Sequence, residues 1–326
     1  MKKVLMVSYL IALFSIIITI SVSGSAFELT GNEPSLINLA FMSPKEAAKL
    51  LTTEDTYTKH LTKFDLACLL NKPNGTKEEL IQLISKQPLD WKEEEKAVLK
   101  EAAASLNQTS LKENYHLPLP REVRIIKSTM KEAGGAAGYT RGDYIVLSSD
   151  LLRQPASAIR EVLAHELFHI LTRNNPEFRK NMYRLIGFTV SSKNMPYPAD
   201  LKDYIISNPD VDRNDNYATF TINGKPLKCY MILYSKKEYT NGPMFRYFNI
   251  GLVPLTDQLH PVQKNGKTVI YSTDDAADFY DKVGKNTNYI LNPEEILAEN
   301  FKFVLLGKKQ GLTPELLSDL HNLLKE

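Results

Sequence analysis

The stretch Val162-Leu163-Ala164-His165-Glu166-Leu167-Phe168-His169 decides how this chain is read. His165 and His169 stand four residues apart, and Ile159, Val162, Leu163, Leu167, Ile170 and Leu171 recur around them at helical spacing. Pro155 suits a first turn and Asn174-Asn175-Pro176 a last one, so a helix is expected over 155–175. Residues four apart on a helix project from one face. Two imidazole nitrogens so placed can meet one Zn²⁺ at about 2.0–2.1 Å each. Glu166, next to the first histidine, is placed to act as general base towards water activated by that ion. The plainer alternative is a pair of core histidines on an ordinary helix. Such a buried His-Glu-His group would need other partners for its polar atoms.

The motif is the HExxH pattern of zinc peptidases. A catalytic zinc site needs a third protein ligand and an open position. No HxxGxxH extension follows His169, which excludes the metzincin arrangement. The best source of the third ligand is Asn292-Pro293-Glu294-Glu295-Ile296-Leu297-Ala298-Glu299-Asn300, which lies in a helix expected over 293–306. Asn292 and Glu295 also have capping-box spacing, with Pro293 at the first helical position, so a plain helix start accounts for the same two residues.

This segment resembles two groups of proteins. In the gluzincins, the thermolysin-like zinc peptidases and their relatives, a second helix supplies a ligand glutamate, and an acidic residue four positions later supports a ligand histidine. Pro293 through Phe301 is also similar to a Pro-Glu-Glu-Ile-Leu-Ala-(Glu/Asp)-Asn-Phe stretch of bacterial secreted HExxH proteins. The resemblance implies a metal set of His165, His169 and Glu295, with Glu299 accepting the outer N–H of a ligand histidine. Glu294 is the alternative ligand, about 100° away around the helix. The resemblance covers the motif helices and not the 120 or so residues between them; Glu295 lies 126 residues after His169, a wide gap for a thermolysin-like enzyme. For the oxyanion of the reaction, Tyr289 is ranked first because it directly precedes the ligand helix; His260, Tyr197, Tyr204 and Tyr271 are other candidates among the 16 tyrosines and six histidines. By analogy with zincins, the strand expected over Tyr144–Leu147 is the edge that pairs with extended substrate.

Further from the motif, 326 residues that are 43% hydrophobic and 24% charged exclude a disordered, collagen-like or coiled-coil chain. Met1–Ala26 has a lysine pair, an apolar run from Val4 to Val22, and Gly24 and Ala26 as small residues before a cleavage point, which is the pattern of a signal peptide. An uncleaved anchor is the other reading, since the run is almost long enough to span a membrane. Without Lys2 and Lys3 the chain carries 38 basic and 38 acidic residues, which speaks against nucleic-acid binding. Cys68 and Cys229 fit one disulfide or two thiols equally well. Arg141-Gly142-Asp143, although an integrin-type tripeptide, reads first as a hairpin tip.

The fold expected is α+β: a zincin-like metallopeptidase core with a helical N-terminal lobe. Its parts are a signal peptide over 1–26, the lobe over 27–115, and a catalytic domain over 116–326 with an irregular insertion at 177–290. Within that insertion, 196–261 is expected to hold short strands and long loops. The function expected is a secreted zinc metallopeptidase acting on a peptide or protein substrate, in the periplasm or outside a bacterial cell. It meets a membrane only if the N-terminal segment is retained. Two alternatives stand beside it: a zinc hydrolase of another amide such as cell-wall peptide, and a non-enzymatic binding protein with a relic metal site.

Overall fold

The computed structural model describes residues 36–326; Met1–Ala26, with its expected cleavage point, lies outside the described residues. The chain opens with strand β1 (Leu39–Phe41) and four short helices, α1 (Pro44–Thr52), α2 (Thr56–His60), α3 (Lys63–Leu69) and α4 (Lys77–Ile84). Each helix starts on a Ser, Asp or Thr whose side chain accepts the N–H three residues on, so an otherwise unsatisfied first-turn donor is paired. The long α5 (Glu93–Glu113) ends on Asn114 in the left-handed conformation. After it come β2 (Val123–Ser128), β3 (Gly138–Arg141), β4 (Tyr144–Ser148), α6 (Ala156–Asn174) and α7 (Pro176–Leu185). The last part holds β5 (Phe188–Val190), β6 (Asn216–Ile222), β7 (Lys225–Tyr234), β8 (Asn249–Pro254), the two-residue pair β9 (Gln263–Lys264) and β10 (Lys267–Thr268), then α8 (Phe279–Val283), α9 (Pro293–Leu305) and α10 (Pro314–Leu323). No helix among the described residues is long and apolar enough to cross a membrane.

The first sheet has the order β1-β2-β4-β3. Its first three strands are parallel and β3 runs antiparallel to β4. This differs from the expectation that Tyr144–Leu147 is an edge: β4 is held between β2 and β3, and β3 is the free strand beside α6. The reason is the tight turn at Gly142 (φ 53°), which folds β3 back onto the outer side of β4. Arg141 at this tip is buried and bonded to Asp55, while Asp143 pairs with Arg124, so the tripeptide is spent on internal contacts.

The second sheet, β5-β6-β7-β8, is antiparallel throughout. It lies within the stretch expected to be irregular, and β7 alone is 10 residues long. The signal was hidden because the second half of β7, Cys229–Tyr234, is covered on both faces. Cys229 and Met231 join the main core, whereas Tyr230, Ile232 and Tyr234 pack with Met195, Ile205 and Val253. A strand buried on both faces shows no polar alternation. Cys229 here and Cys68 in α3 are free thiols, both pushed up to about 12 by burial.

α6 runs through the centre. Its 19 residues span about 28 Å, and from Leu163 to Thr172 only His165 is not buried. α5, α7 and α9 pack around it, and one core cluster joins these helices to both sheets. Residues on this helix are therefore held by the largest packed unit of the molecule.

Candidate metal centre

α6 presents His165, Glu166 and His169 towards α9, which presents Glu294, Glu295 and Glu299 in return. Asn292 caps α9 by accepting the Glu295 N–H at 3.1 Å. The reciprocal half of a capping box is not made: the Glu295 carboxylate turns inward, with Oε2 3.1 Å from His165 Nε2 and 3.9 Å from His169 Nε2. Capping thus explains the backbone contact of Glu295 but not the direction of its side chain. Its other oxygen accepts from Asn208 Nδ2 at 2.5 Å.

The outer nitrogens of the two histidines are each held by a different acid. His165 Nδ1 lies 3.0 Å from Glu299 Oε1, and His169 Nδ1 lies 3.1 Å from Glu294 Oε1. These bonds set both rings so that their Nε2 atoms converge on Glu295. Glu294, weighed in sequence as an alternative ligand, instead orients His169. Its carboxylate also accepts the hydroxyls of Thr172 and Tyr183. Burial opposes ionisation of Glu294, but the bond from His169 and the nearby Arg179 outweigh it and hold its pKa low. Burial likewise opposes the charge on His165, and Glu295 and Glu299 outweigh it and raise that imidazole's pKa.

One atom in this arrangement has no hydrogen-bond partner: the buried Nε2 of His169. A fully buried imidazole nitrogen without a partner is costly. Here it faces a group in which His165, His169 and Glu295 each offer a ligand atom, all within 4.8 Å of one another. Two imidazoles and a carboxylate, with acids on the outer nitrogens, are the donor set a divalent ion of the zinc type accepts. The residues therefore fit a metal ion.

Glu166 is buried and flanks this group from the β3 side. Its Oε2 accepts the Thr140 hydroxyl at 2.7 Å. Burial raises its pKa, against the pull of His165 and His169. A Cβ at Gly138 would come within 2.9 Å of Glu166 Oε1, so β3 approaches the carboxylate closely because residue 138 is glycine.

Residues 99–193 match the SprT-like family. This is a family related to zincin metallopeptidases, and metal dependence is typical of it. The SprT-like segment starts in α5 and ends just past β5, so it holds α6 and β3 but stops before α9. Comparison with curated proteins and with solved structures returns no match.

Tyr289 lies beside the centre, its ring centroid 6.2 Å from that of His165. Partial desolvation of this still 44% exposed side chain, with the carboxylates of Glu295, Asp210, Glu166 and Glu299, pushes its phenol above the ordinary range. None of the other oxyanion candidates packs against the histidines as Tyr289 does. Tyr204 and Tyr271 make backbone contacts within the second-sheet region, His260 is exposed in a turn after β8, and Tyr197 lines a cavity of about 280 Å³.

Sequence reasoning missed four residues at the centre: Thr140, Tyr183, Asn208 and Asp210. Asp210 forms a second group with Glu166 and His169, again with ligand atoms within 4.8 Å of one another. Burial and the Glu166 charge push its carboxyl up to about 8. No motif marks Asn208 or Asp210, and the turn that carries them reaches the centre only through long-range contacts.

Proposed function

We propose that this chain is a zinc-dependent metallopeptidase of the gluzincin type, with His165, His169 and Glu295 as metal ligands and Glu166 as general base. The observation that carries the reading is the unpartnered, buried Nε2 of His169, turned towards Glu295 beside His165 Nε2. Most buried polar groups in a core are paired, and this unpaired one faces two other potential metal ligands.

Zinc bound there would lower the pKa of a water molecule and polarise the carbonyl to be attacked. The other roles belong to the chain itself. Glu166 takes a proton from the attacking water and returns it to the leaving amine; its raised pKa suits a group that must both accept and release. Thr140 holds one Glu166 oxygen and leaves the other for this transfer. Glu299 and Glu294 keep the histidine rings in register. Tyr289 supplies a protonated hydroxyl for the oxyanion. The free edge of β3 offers backbone groups to an extended peptide, by strand addition. The N-terminal pattern of Lys2, Lys3, an apolar run and small residues supports a location outside the cytoplasm, in the cell envelope or secreted.

The test is Glu166→Gln in metal-loaded protein, assayed against a peptide library. Metal content should match the parent and hydrolysis should be lost. Turnover retained in that sample would remove Glu166 from the mechanism.

A further inference from the structure

Residues 207–212 pass between the candidate metal centre and the free edge of β3. Every polar contact they make there engages a group the proposed chemistry uses or a residue that flanks it. Asn208 Nδ2 donates to Glu295 Oε1 at 2.5 Å, and Asn208 Oδ1 accepts the Asp210 N–H at 3.0 Å. Asp210 Oδ1 accepts the backbone N–H of Thr140 at 2.6 Å. Thr140 lies on β3, the free edge strand, so this is one of the amides an added peptide strand would use. The Asp210 carboxylate also lies within 4.8 Å of ligand atoms of Glu166 and His169. One turn therefore occupies the edge-strand amide and crowds the proposed general base.

The turn is tethered at its ends rather than packed. Ile206, buried, donates its N–H to Leu233 O, and Asp215, buried, pairs with Arg179. Between them no residue from 207 to 214 is fully buried, and Asp210 is half-buried. Ser207 is held by Asp65, and Pro209 and Asp212 by Arg173. Segments with little apolar burial open locally at low free-energy cost. Cavities of about 280 and 490 Å³ lie against this turn, and Val211, Asp212 and Arg213 line both, so the segment has space to move.

We propose that residues 207–212 are an inhibitory strap and that Asp210 blocks substrate by occupying the Thr140 amide and crowding Glu166 and His169. The strap rests on the zinc reading above. A peptide substrate must displace Asp210 from Thr140 and from beside Glu166 in one movement, since both contacts use the same side chain.

The experiment uses the full chain loaded with zinc, with acetohydroxamate as the probe, because it needs open coordination space on the ion. Its affinity is measured by calorimetry for the parent, Asp210→Asn and Asp210→Ala, with metal content and melting temperature recorded beside it. Arg173→Gln, which frees Pro209 and Asp212 and removes a positive charge that acts on Asp210 but changes no proposed metal ligand, serves as a second variant beside the Asp210 substitutions. All three variants should keep one metal per chain and bind the probe at least about tenfold more tightly, as expected when a strap closed about nine-tenths of the time is released. Parent-level probe affinity in the metal-loaded variants would overturn the strap and leave the zinc reading intact. Loss of metal with either Asp210 variant would overturn it too, making Asp210 an obligatory ligand. A parent chain that binds no zinc would refute the zinc reading itself, and the strap with it.

Discussion

Replacing Glu295 and Glu294 in turn separates a ligand from its neighbour on the same helix. Glu295 Oε2 is the one carboxylate oxygen facing both histidine Nε2 atoms, at 3.1 and 3.9 Å. Glu294 reaches only the outer Nδ1 of His169, at 3.1 Å. Removing an outer partner of a ligand histidine typically lowers metal affinity about 10–100-fold. Glu294→Ala should fall in that range, while Glu295→Ala, which leaves two ligands, should lose more than about 100-fold, or about 2.8 kcal/mol. Both changes also cost stability in the metal-free protein. Glu294→Ala deprives His169, Thr172 and Tyr183 of their buried acceptor, at about 1–3 kcal/mol for each group left unpaired. Glu295→Ala deprives Asn208 and His165 of theirs. The assay is competition for zinc with a chromophoric chelator, with chemical denaturation of the metal-free proteins beside it. Zinc affinity of Glu295→Ala within tenfold of the parent would refute the ligand assignment. So would a Glu294→Ala protein that loses zinc as completely as Glu295→Ala does.

Gly138→Ala places a Cβ 2.9 Å from Glu166 Oε1 and 3.0 Å from Val162 Cγ1; it should lower kcat by roughly 10–100-fold through displacement of the general base, with zinc content unchanged, and a parent-like kcat would show that the carboxylate has room to move. Away from the centre, the Lys127 ammonium donates to both Glu95 oxygens at 2.7 Å and to Asp90 O at 3.1 Å. Burial alone would raise the Glu95 carboxyl, but Lys127 outweighs it and lowers the pKa below 4.5. The stability of this pair is therefore present above about pH 4.5 and is lost as pH falls through the lowered folded-state value. Lys127→Met should cost about 3–5 kcal/mol near neutral pH and flatten that acid limb, as read from denaturation midpoints against pH; an unchanged acid limb would refute the coupling.

The α6 chemistry was legible because it is local. Helical spacing alone puts His165 and His169 on one face, whatever the rest of the chain does. The same holds for the four-residue interval between Glu295 and Glu299 on α9. The length of β7 was not legible, because its second half, Cys229–Tyr234, is covered on both faces and lacks the alternation that marks strands in sequence. Nor was the identity of the edge strand, which depends on the direction in which the hairpin at Gly142 folds back.

What the sequence by itself determined is which groups could act together within one helix, because backbone geometry fixes that over a few residues. Which of Glu294 and Glu295 faces the paired Nε2 atoms was decided only by the packing of α9 on α6, since neighbouring helical residues differ by about 100° and both side chains here are buried. The arrival of Thr140, Asn208 and Asp210 at the same centre was also a tertiary outcome. Their distance from the motif in the chain is closed by contacts such as Ile206 to Leu233 and Arg173 to Pro209, and no local periodicity encodes contacts of that range.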